Sequence, residues 1–251
     1  CGECSDCRAG RGFRCAQGKM RASLDLPGAY AEFCRVGAGE AVRLPDSVSF
    51  REGALVEPLA VGLNAVRRAQ LRPGDRVLIV GAGPVGLSVA LWCRFFGAQH
   101  IVVSDLVPAR VERSLTLGAT AAVDASEGNV REQVADAAGG QPRVVFDCVG
   151  MPGSLQLAID YAPHDARIVV VGLCMAGDHL FPTKALVKEL EIIFAFIYRQ
   201  EDFETVVQLL GQGRIDATPM ISDHVDLTAF SDAFEALKQP NRQIKVMLEP
   251  N

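Results

Sequence analysis

Arg76-Val77-Leu78-Ile79-Val80-Gly81-Ala82-Gly83-Pro84-Val85-Gly86 is the stretch that decides the fold. Four consecutive apolar residues run directly into a Gly-x-Gly-x-x-Gly loop, and Pro84 stands where the first turn of a helix tolerates a missing N–H. In that setting Gly81 allows the tight turn, Gly83 lets the backbone approach a pyrophosphate, and Gly86 lets the following helix pack close to the strand. The pyrophosphate would rest on the positive end of that helix, beside Pro84 and Val85. A lone glycine pattern is weak, but here an acid answers it. Asp105 follows Ile101-Val102-Val103-Ser104, nineteen residues beyond Gly86, where a carboxylate accepts hydrogen bonds from the adenosine ribose. It would also repel a 2′-phosphate, and Leu106 follows rather than a basic residue, so NAD is expected over NADP. Arg110 is placed to stack on or edge the adenine. The competing reading is that the glycines merely shape a turn and Asp105 caps the next helix. Enzymes of S-adenosylmethionine use similar loops, so the loop alone does not settle the cofactor.

Outward from this loop the chain alternates. Apolar runs at Val77–Val80, Ile101–Val103, Ala121–Val123, Val144–Phe146, Ile168–Val171 and Ile192–Phe196 are six strand candidates. Helical stretches are expected between them at about 84–96, 108–117, 129–138, 153–162 and 183–189. Short, continuously apolar strands separated by helices indicate a parallel sheet covered on both faces. Six of them fit the α/β, doubly wound dinucleotide fold, which binds its ligand at the carboxyl ends of the strands. Those ends include Val149 and Gly150, then Val171, Gly172 and Leu173, then Ala195, Phe196 and Ile197. All are candidate cofactor contacts; Gly150 and Gly172 are favoured because close backbone approach to a ligand suits glycine. Cys148 and Cys174 read as core.

On either side lie different patterns. Residues 1–59 read as loops and short strands, the latter at Tyr30–Val36 and Ala41–Leu44. A helix is expected from about Glu52 to Ala69, with Arg67 and Arg68 near its C-terminal end, where the helix dipole favours cations. After Phe196 the pattern gives a helix at about 202–212, a strand near Met220–Val225, a helix near Leu227–Leu237 and a last strand, Gln243–Leu248. The expected division is a β-rich unit from 1–59 and 198–251, interrupted by a nucleotide-binding domain over 60–197.

The 251 residues carry 25 Lys and Arg against 30 Asp and Glu, a net charge of −5. This argues against a nucleic-acid partner, which favours a basic face. The apolar runs are too short to cross a bilayer, and no signal segment opens the chain. A soluble, cytoplasmic protein is the plain expectation.

Four of the eight cysteines fall within the first fifteen residues. Cys1, Cys4, Cys7 and Cys15 form C-x2-C-x2-C-x7-C, and four thiolates in a short loop close a tetrahedral shell around zinc without leaving an open position. The site is therefore expected to be structural. An iron–sulfur cluster also takes four cysteines and is the alternative. The remaining cysteines are scattered, which suggests reduced thiols rather than a disulfide framework.

A four-cysteine lobe followed by a Rossmann domain resembles the zinc-containing medium-chain alcohol and polyol dehydrogenases. Further carriers of the likeness are Pro27-Gly28-Ala29-Tyr30-Ala31-Glu32-Phe33, which looks like the family's turn and strand after the lobe, and the helix segment Glu52-Gly53-Ala54-Leu55-Val56-Glu57-Pro58-Leu59. The Glu57-Pro58-Leu59 version of that helix is similar to the sorbitol, butanediol and threonine dehydrogenase branch, and Phe196 to Phe203 to butanediol-type members. The resemblance implies a GroES-like β-rich catalytic domain beside the Rossmann sheet. It also implies a second, catalytic zinc that lowers the pKa of an alcohol or polyol hydroxyl before hydride passes to NAD. Glu57 is assigned to that site, as a ligand or through a zinc-bound water; an exposed glutamate at a helix start is the plainer reading.

The family's other catalytic ligands, a cysteine and a His-Glu pair, stand before the lobe, and this chain opens at Cys1. The sequence therefore reads as N-terminally truncated, with an incomplete catalytic zinc site, expected to bind NAD and turn over poorly. His100, His164, His179 and His224 are read as non-catalytic. A homo-dimer or homo-tetramer is expected, with the sixth-strand edge as interface. The alternatives are a zinc-free, NADPH-dependent quinone or enone reductase and a non-catalytic nucleotide-binding module; Asp105 and the cysteine lobe speak against the former.

Overall fold

The computed structural model describes residues 1–19, 26–238 and 242–250. In chain order it places helices α1 (Ser5–Arg8), α2 (Phe50–Gly53) and α3 (Val56–Arg68), then β1 (Arg76–Val80), α4 (Pro84–Phe95), β2 (His100–Asp105), α5 (Pro108–Ser114), β3 (Ala121–Asp124), α6 (Val130–Ala137), β4 (Val144–Asp147), α7 (Ser154–Tyr161), β5 (Arg167–Val170), α8 (Pro182–Val187) and β6 (Glu191–Phe194). The chain ends with α9 (Gln200–Gly211), β7 (Ile221–Asp226), α10 (Phe230–Ala236) and β8 (Lys245–Glu249). It divides into two compact units, 1–60 with 198–251, and 61–197.

The second unit is a six-stranded parallel sheet in the order β3-β2-β1-β4-β5-β6. Chain direction from β1 reverses across the sheet between β1 and β4, and in open α/β sheets a crevice forms outside the strand ends at such a reversal. The strands are short apolar runs because both faces are covered: Val77, Leu78, Ile79, Ile101, Val102, Val103, Val145, Phe146, Ile168 and Val169 are all buried. Each such side chain contributes roughly 1.5–3 kcal/mol on burial. Register aligns the carboxyl ends, with Val80 beside Ser104 of β2 and Asp147 of β4. On α4, Trp92 is fully buried and meets Phe95 edge-on at 5.4 Å. A side chain on Gly62 would collide with Ser88, so that glycine sets how closely α3 lies on α4.

The first unit holds the cysteine lobe, α2, α9, α10 and the parallel pair β7-β8, whose register shifts between Ile221 and Asp223. Ser49 and Glu52 form a reciprocal cap on α2, with the Glu52 N–H donating to Ser49 Oγ at 3.2 Å and the Ser49 N–H donating to Glu52 Oε2 at 2.8 Å. Arg51 reaches Glu249 of β8 at 2.8 Å.

Three expectations are corrected. Tyr30–Val36 and Ala41–Leu44 are not strands but turns and irregular chain. A strand needs a ladder partner, and this segment is mostly exposed, with Phe33 90% accessible. The expected helix from Glu52 to Ala69 is two helices, since the α2 capping box starts a short turn that ends at Gly53, and α3 begins anew at Val56. The region expected as 227–237 opens as a 3-10 turn, Leu227–Ala229, before α10. Residues 20–25 of the loop-and-strand reading lie outside the described residues.

Candidate functional site

The loop after β1 is built by three glycines with different reasons. Gly81 has φ +100°, and a side chain there would press on Val149 Cγ2 at 3.1 Å and the Cys148 carbonyl carbon at 3.3 Å. A side chain on Gly86 would strike the Gly81 carbonyl oxygen. These two are glycine for internal packing. Gly83 has an ordinary φ of −75°, and no atom lies within 4 Å of where its Cβ would stand. Neither strain nor crowding within the chain requires glycine at this position. Gly83, Pro84 and Val85 are partly accessible, whereas Gly81, Ala82 and Gly86 are buried. The first helical bond of α4 runs from the Leu87 N–H to the Gly83 carbonyl at 3.0 Å. The amides before it have no intrahelical acceptor and point their partial positive charge outward, which is the arrangement that holds a phosphate.

Asp105 closes the other side. Its Oδ2 accepts the Ala82 N–H at 2.7 Å and its Oδ1 accepts the Val107 N–H at 2.9 Å. The carboxylate therefore braces the glycine loop and turns the chain toward α5, and each oxygen still has a lone pair for an outside donor. The capping reading of Asp105 and the ligand reading are thus compatible. Arg110 sits partly buried in the first turn of α5.

From Gly81 the site continues along the carboxyl edge. Val149 touches the glycine loop, and the loops after β4 and β5 meet backbone to backbone: a Cβ on Gly150 would lie 2.6 Å from the Leu173 nitrogen, and one on Gly172 would strike Gly150. Both glycines thus serve each other, a reason that no sequence pattern reveals. Asp147 ties this corner together. Its carbonyl accepts the N–H groups of Val171 and Gly172, both at 2.9 Å, while its carboxylate accepts from Val149 N–H at 3.1 Å and Ser154 Oγ at 3.0 Å. The group is 1% exposed, and loss of water raises its pKa against those donors. Asp147 opens one of the strand ends picked out from the sequence, but its part in tying the β4 and β5 loops together was not read there.

The edge ends at β6. Ala195 is buried and donates to the Val170 carbonyl at 2.9 Å, Phe196 is 52% exposed, and Ile197 adopts φ +55°. Asn64, a buried polar residue of α3, was also missed; its Nδ2 donates to the Ile197 carbonyl at 2.9 Å and the Phe196 carbonyl at 3.4 Å. Val149 and Leu173 present apolar side chains on this edge, while burial pushes the Cys148 thiol well up. A recess of about 250 Å³ lined by Arg72, Asp75, Arg143, Arg167 and Glu191 lies at the opposite, amino ends of the strands, away from the glycine loop.

The four cysteines converge. All four Sγ atoms lie within 4.8 Å of one another, with Cys1–Cys15 at 3.5 Å and Cys1–Cys7 at 4.0 Å. Thiolates at the corners of a zinc tetrahedron stand about 3.8 Å apart, as follows from a Zn–S bond near 2.3 Å. The site fits zinc. Cys4 caps α1 and accepts the Cys7 N–H at 3.4 Å, Gly2 and Gly10 bend the chain at positive φ, and Arg11 pairs with Asp6 at 2.8 Å. The backbone amide of Gln17 is the main influence drawing the Cys15 thiol down to about 7.

Glu57 occupies the first turn of α3 and is exposed at its surface. Enough protein surrounds it that desolvation raises its pKa, with Lys245 acting in the other direction. Among the described residues the cysteine lobe is the one group of three or more metal-binding side chains, and Glu57 stands apart from it. None of the four histidines joins such a group.

Comparison with known proteins places this geometry. Residues 84–212 match the family model of the zinc-binding dehydrogenases. Sorbitol dehydrogenase of Bacillus subtilis (strain 168) is 30% identical over 254 residues, covering all of this chain and 72% of that protein. Among solved structures, the short chain alcohol dehydrogenase of Escherichia coli CFT073 complexed with NADH superposes with a TM-score of 0.87 at 26% identity, over 99% of this chain and 73% of that one. A Sinorhizobium meliloti 1021 protein bound to NADP, assigned as a zinc-binding dehydrogenase, gives 0.85 at 28% identity, over 100% of this chain and 74% of that one. No described helix is long and apolar enough to cross a membrane. The chain belongs to the zinc-dependent alcohol and polyol dehydrogenase family.

Proposed function

We propose that this chain holds NAD in the cradle formed by Gly81, Gly83, Pro84, Val85 and Gly86, and supports hydride transfer from a secondary alcohol or polyol to its nicotinamide. The observation that carries this reading is the accessible run Gly83-Pro84-Val85 at the head of α4, ahead of its first helical hydrogen bond and fastened to Asp105 through the Ala82 N–H. The pyrophosphate takes the free amides of α4, and Asp105 takes the ribose hydroxyls of the adenosine half, with Arg110 beside the adenine. The other half of the dinucleotide runs over Val149, Gly150, Val171, Gly172, Leu173, Ala195, Phe196 and Ile197. NAD is favoured over NADP because a 2′-phosphate would approach the Asp105 carboxylate; the relatives with NADH and with NADP show that both nucleotides occur within this fold.

The zinc of the cysteine lobe is structural in this reading, since Cys1, Cys4, Cys7 and Cys15 leave no open position. Glu57 is assigned to the catalytic metal side of the alcohol site. When bound there, zinc would act as a Lewis acid on the alcohol oxygen. Among the described residues Glu57 belongs to no group of three or more metal-binding side chains. Residues 1–59 with 198–251 serve as the substrate-side domain and 60–197 as the nucleotide domain. A zinc-free quinone or enone reductase is disfavoured by the convergent lobe and by the family match.

A second copy of the chain is proposed to pair along β6, the last strand of the sheet, whose outer edge pairs with no other described strand; Phe194 of β6 and Leu186 and Val187 of α8 are exposed. The free thiols fit a reducing compartment, the cytoplasm in the simplest case. Titration of the purified protein with NADH and NADPH, followed by nicotinamide fluorescence, tests the cofactor assignment. NADH is expected to bind at least about tenfold more tightly; no binding of either nucleotide overturns it.

A further inference from the structure

The strand order assigns directions along the site. Asp105 ends β2, on one side of β1, while β4, β5 and β6 lie successively on the other. A dinucleotide with its pyrophosphate on α4 and its adenosine toward β2 must therefore carry its second half across β4 and β5 to β6. The last backbone on that path is Phe196-Ile197, and Ile197 is held at φ +55°. A β-branched residue rarely adopts that conformation, and it persists only where the surroundings over-determine it.

We propose that Asn64 is a positioning residue for the nicotinamide end of the cofactor. Resting on the dinucleotide reading above, the proposal is that its amide spans the Phe196 and Ile197 carbonyls, at 3.4 and 2.9 Å, and locks the kinked turn against which the nicotinamide half is placed. Asn64 is 9% exposed within α3, between the buried residues Leu63 and Ala65, so its rotamer is fixed by packing. Its donor is spent on main-chain carbonyls of a segment 132 and 133 residues away in sequence. The turn it holds follows directly on the β5–β6 ladder, which the Ala195 to Val170 hydrogen bond extends by one residue. Asn64 reaches the turn through these main-chain carbonyls and so acts through the backbone that it holds.

The test compares two probes, NADH and ADP-ribose, which lacks the nicotinamide. Asn64→Ala removes the donor, and Asn64→Asp keeps the shape while turning an acceptor toward two carbonyls. In both variants NADH affinity is expected to fall about tenfold, as loss of one buried, strain-holding hydrogen-bonded group implies. ADP-ribose affinity is expected to stay within about twofold, and the fluorescence enhancement of bound NADH to diminish. ADP-ribose binding reports a folded nucleotide domain, so if the alanine variant fails to fold, the aspartate variant carries the test. Equal loss for both probes marks Asn64 as merely structural and overturns the proposal, as does no loss for either. Failure of the wild-type protein to bind ADP-ribose would instead bring down the dinucleotide reading and this proposal with it.

Discussion

Asp105 Oδ2 accepts the Ala82 N–H at 2.7 Å, so the acid that ends β2 is fastened to the glycine loop that leaves β1. A single carboxylate thereby shapes the glycine loop and, in the proposed reading, also meets the ribose. Asp105→Ala loses both functions, and Asp105→Asn keeps one acceptor but loses the charge. NADH affinity should fall by about ten- to a hundredfold in the alanine variant, the range expected for hydrogen bonds to a charged group. The preference for NADH over NADPH should narrow in both variants, because the repulsion of a 2′-phosphate goes with the charge. Isothermal titration with the two nucleotides measures this, and an unchanged ratio would remove Asp105 from the ribose site.

The three loop glycines separate binding from folding. Gly83→Ala adds a methyl where no atom lies within 4 Å, at a backbone conformation that alanine adopts freely. Its stability should stay within about 0.5 kcal/mol of the parent, while NADH binding weakens because the methyl stands in the phosphate space. Gly86→Ala drives a methyl into the Gly81 carbonyl and should cost about 1–3 kcal/mol or more. Urea melts and NADH titrations of both variants decide the matter. A Gly83→Ala protein with parental NADH affinity would mean that nothing sits over that residue.

Much of this site was legible in the sequence because its causes are local. Val77–Val80 reads as a buried strand from four apolar residues, Gly81 to Gly86 reads as a turn, and Asp105 is found by its spacing. Cys1 to Cys15 likewise carry their geometry in their spacing, which the sulfur cluster of the structure reproduces. What escaped depends on partners distant in the chain. Tyr30–Val36 has strand-forming residues but gains no ladder, so propensity alone misleads. Gly150 and Gly172 were singled out for ligand approach, yet they crowd each other, a contact between two loops that only the folded chain brings together. Asn64 looked like one polar residue in an apolar helix until Ile197 appeared beside it.

The lobe should contain about one tightly held zinc ion per chain, since four thiolates close a single shell. Elemental analysis of protein purified without added metal checks this. Cys7→Ser should lower the zinc content sharply and melt the lobe, leaving ADP-ribose binding by residues 61–197 in place. A brown protein with iron and labile sulfide would replace zinc by a cluster.

If β6 pairs with a second copy, its outward N–H groups matter. Glu191 donates to the Ala166 carbonyl and Ala195 to the Val170 carbonyl, both toward β5. Alternation along the strand turns the Ile192 and Phe194 N–H groups outward. Phe194→Pro removes one outward donor and an exposed ring without touching the β5 ladder. Light scattering should then show a smaller assembly than the parent gives. A parent that is monomeric at high concentration, or a variant with unchanged mass, would refute pairing at this edge.

Asp147 supplies a pH dependence whose sign follows from its burial. Desolvation raises its folded-state pKa above the unfolded value, so folding favours the neutral acid. Its contribution to stability is full below the unfolded carboxyl pKa and is lost as pH rises through the raised folded one. At neutral pH the wild-type protein therefore carries a cost that Asp147→Asn does not, since the amide still accepts from Val149 N–H and donates to Ser154 Oγ. The asparagine variant should gain on the parent in urea unfolding at pH 7, and that gain should shrink as the pH is lowered toward 4. Asp147→Ala, which leaves the Val149 and Ser154 donors without an acceptor, should lose about 1–3 kcal/mol at either pH. Parallel pH profiles for the parent and the asparagine variant would show that Asp147 titrates as it does in the unfolded chain, and that the hydrogen bonds to its carboxylate offset the water it gave up.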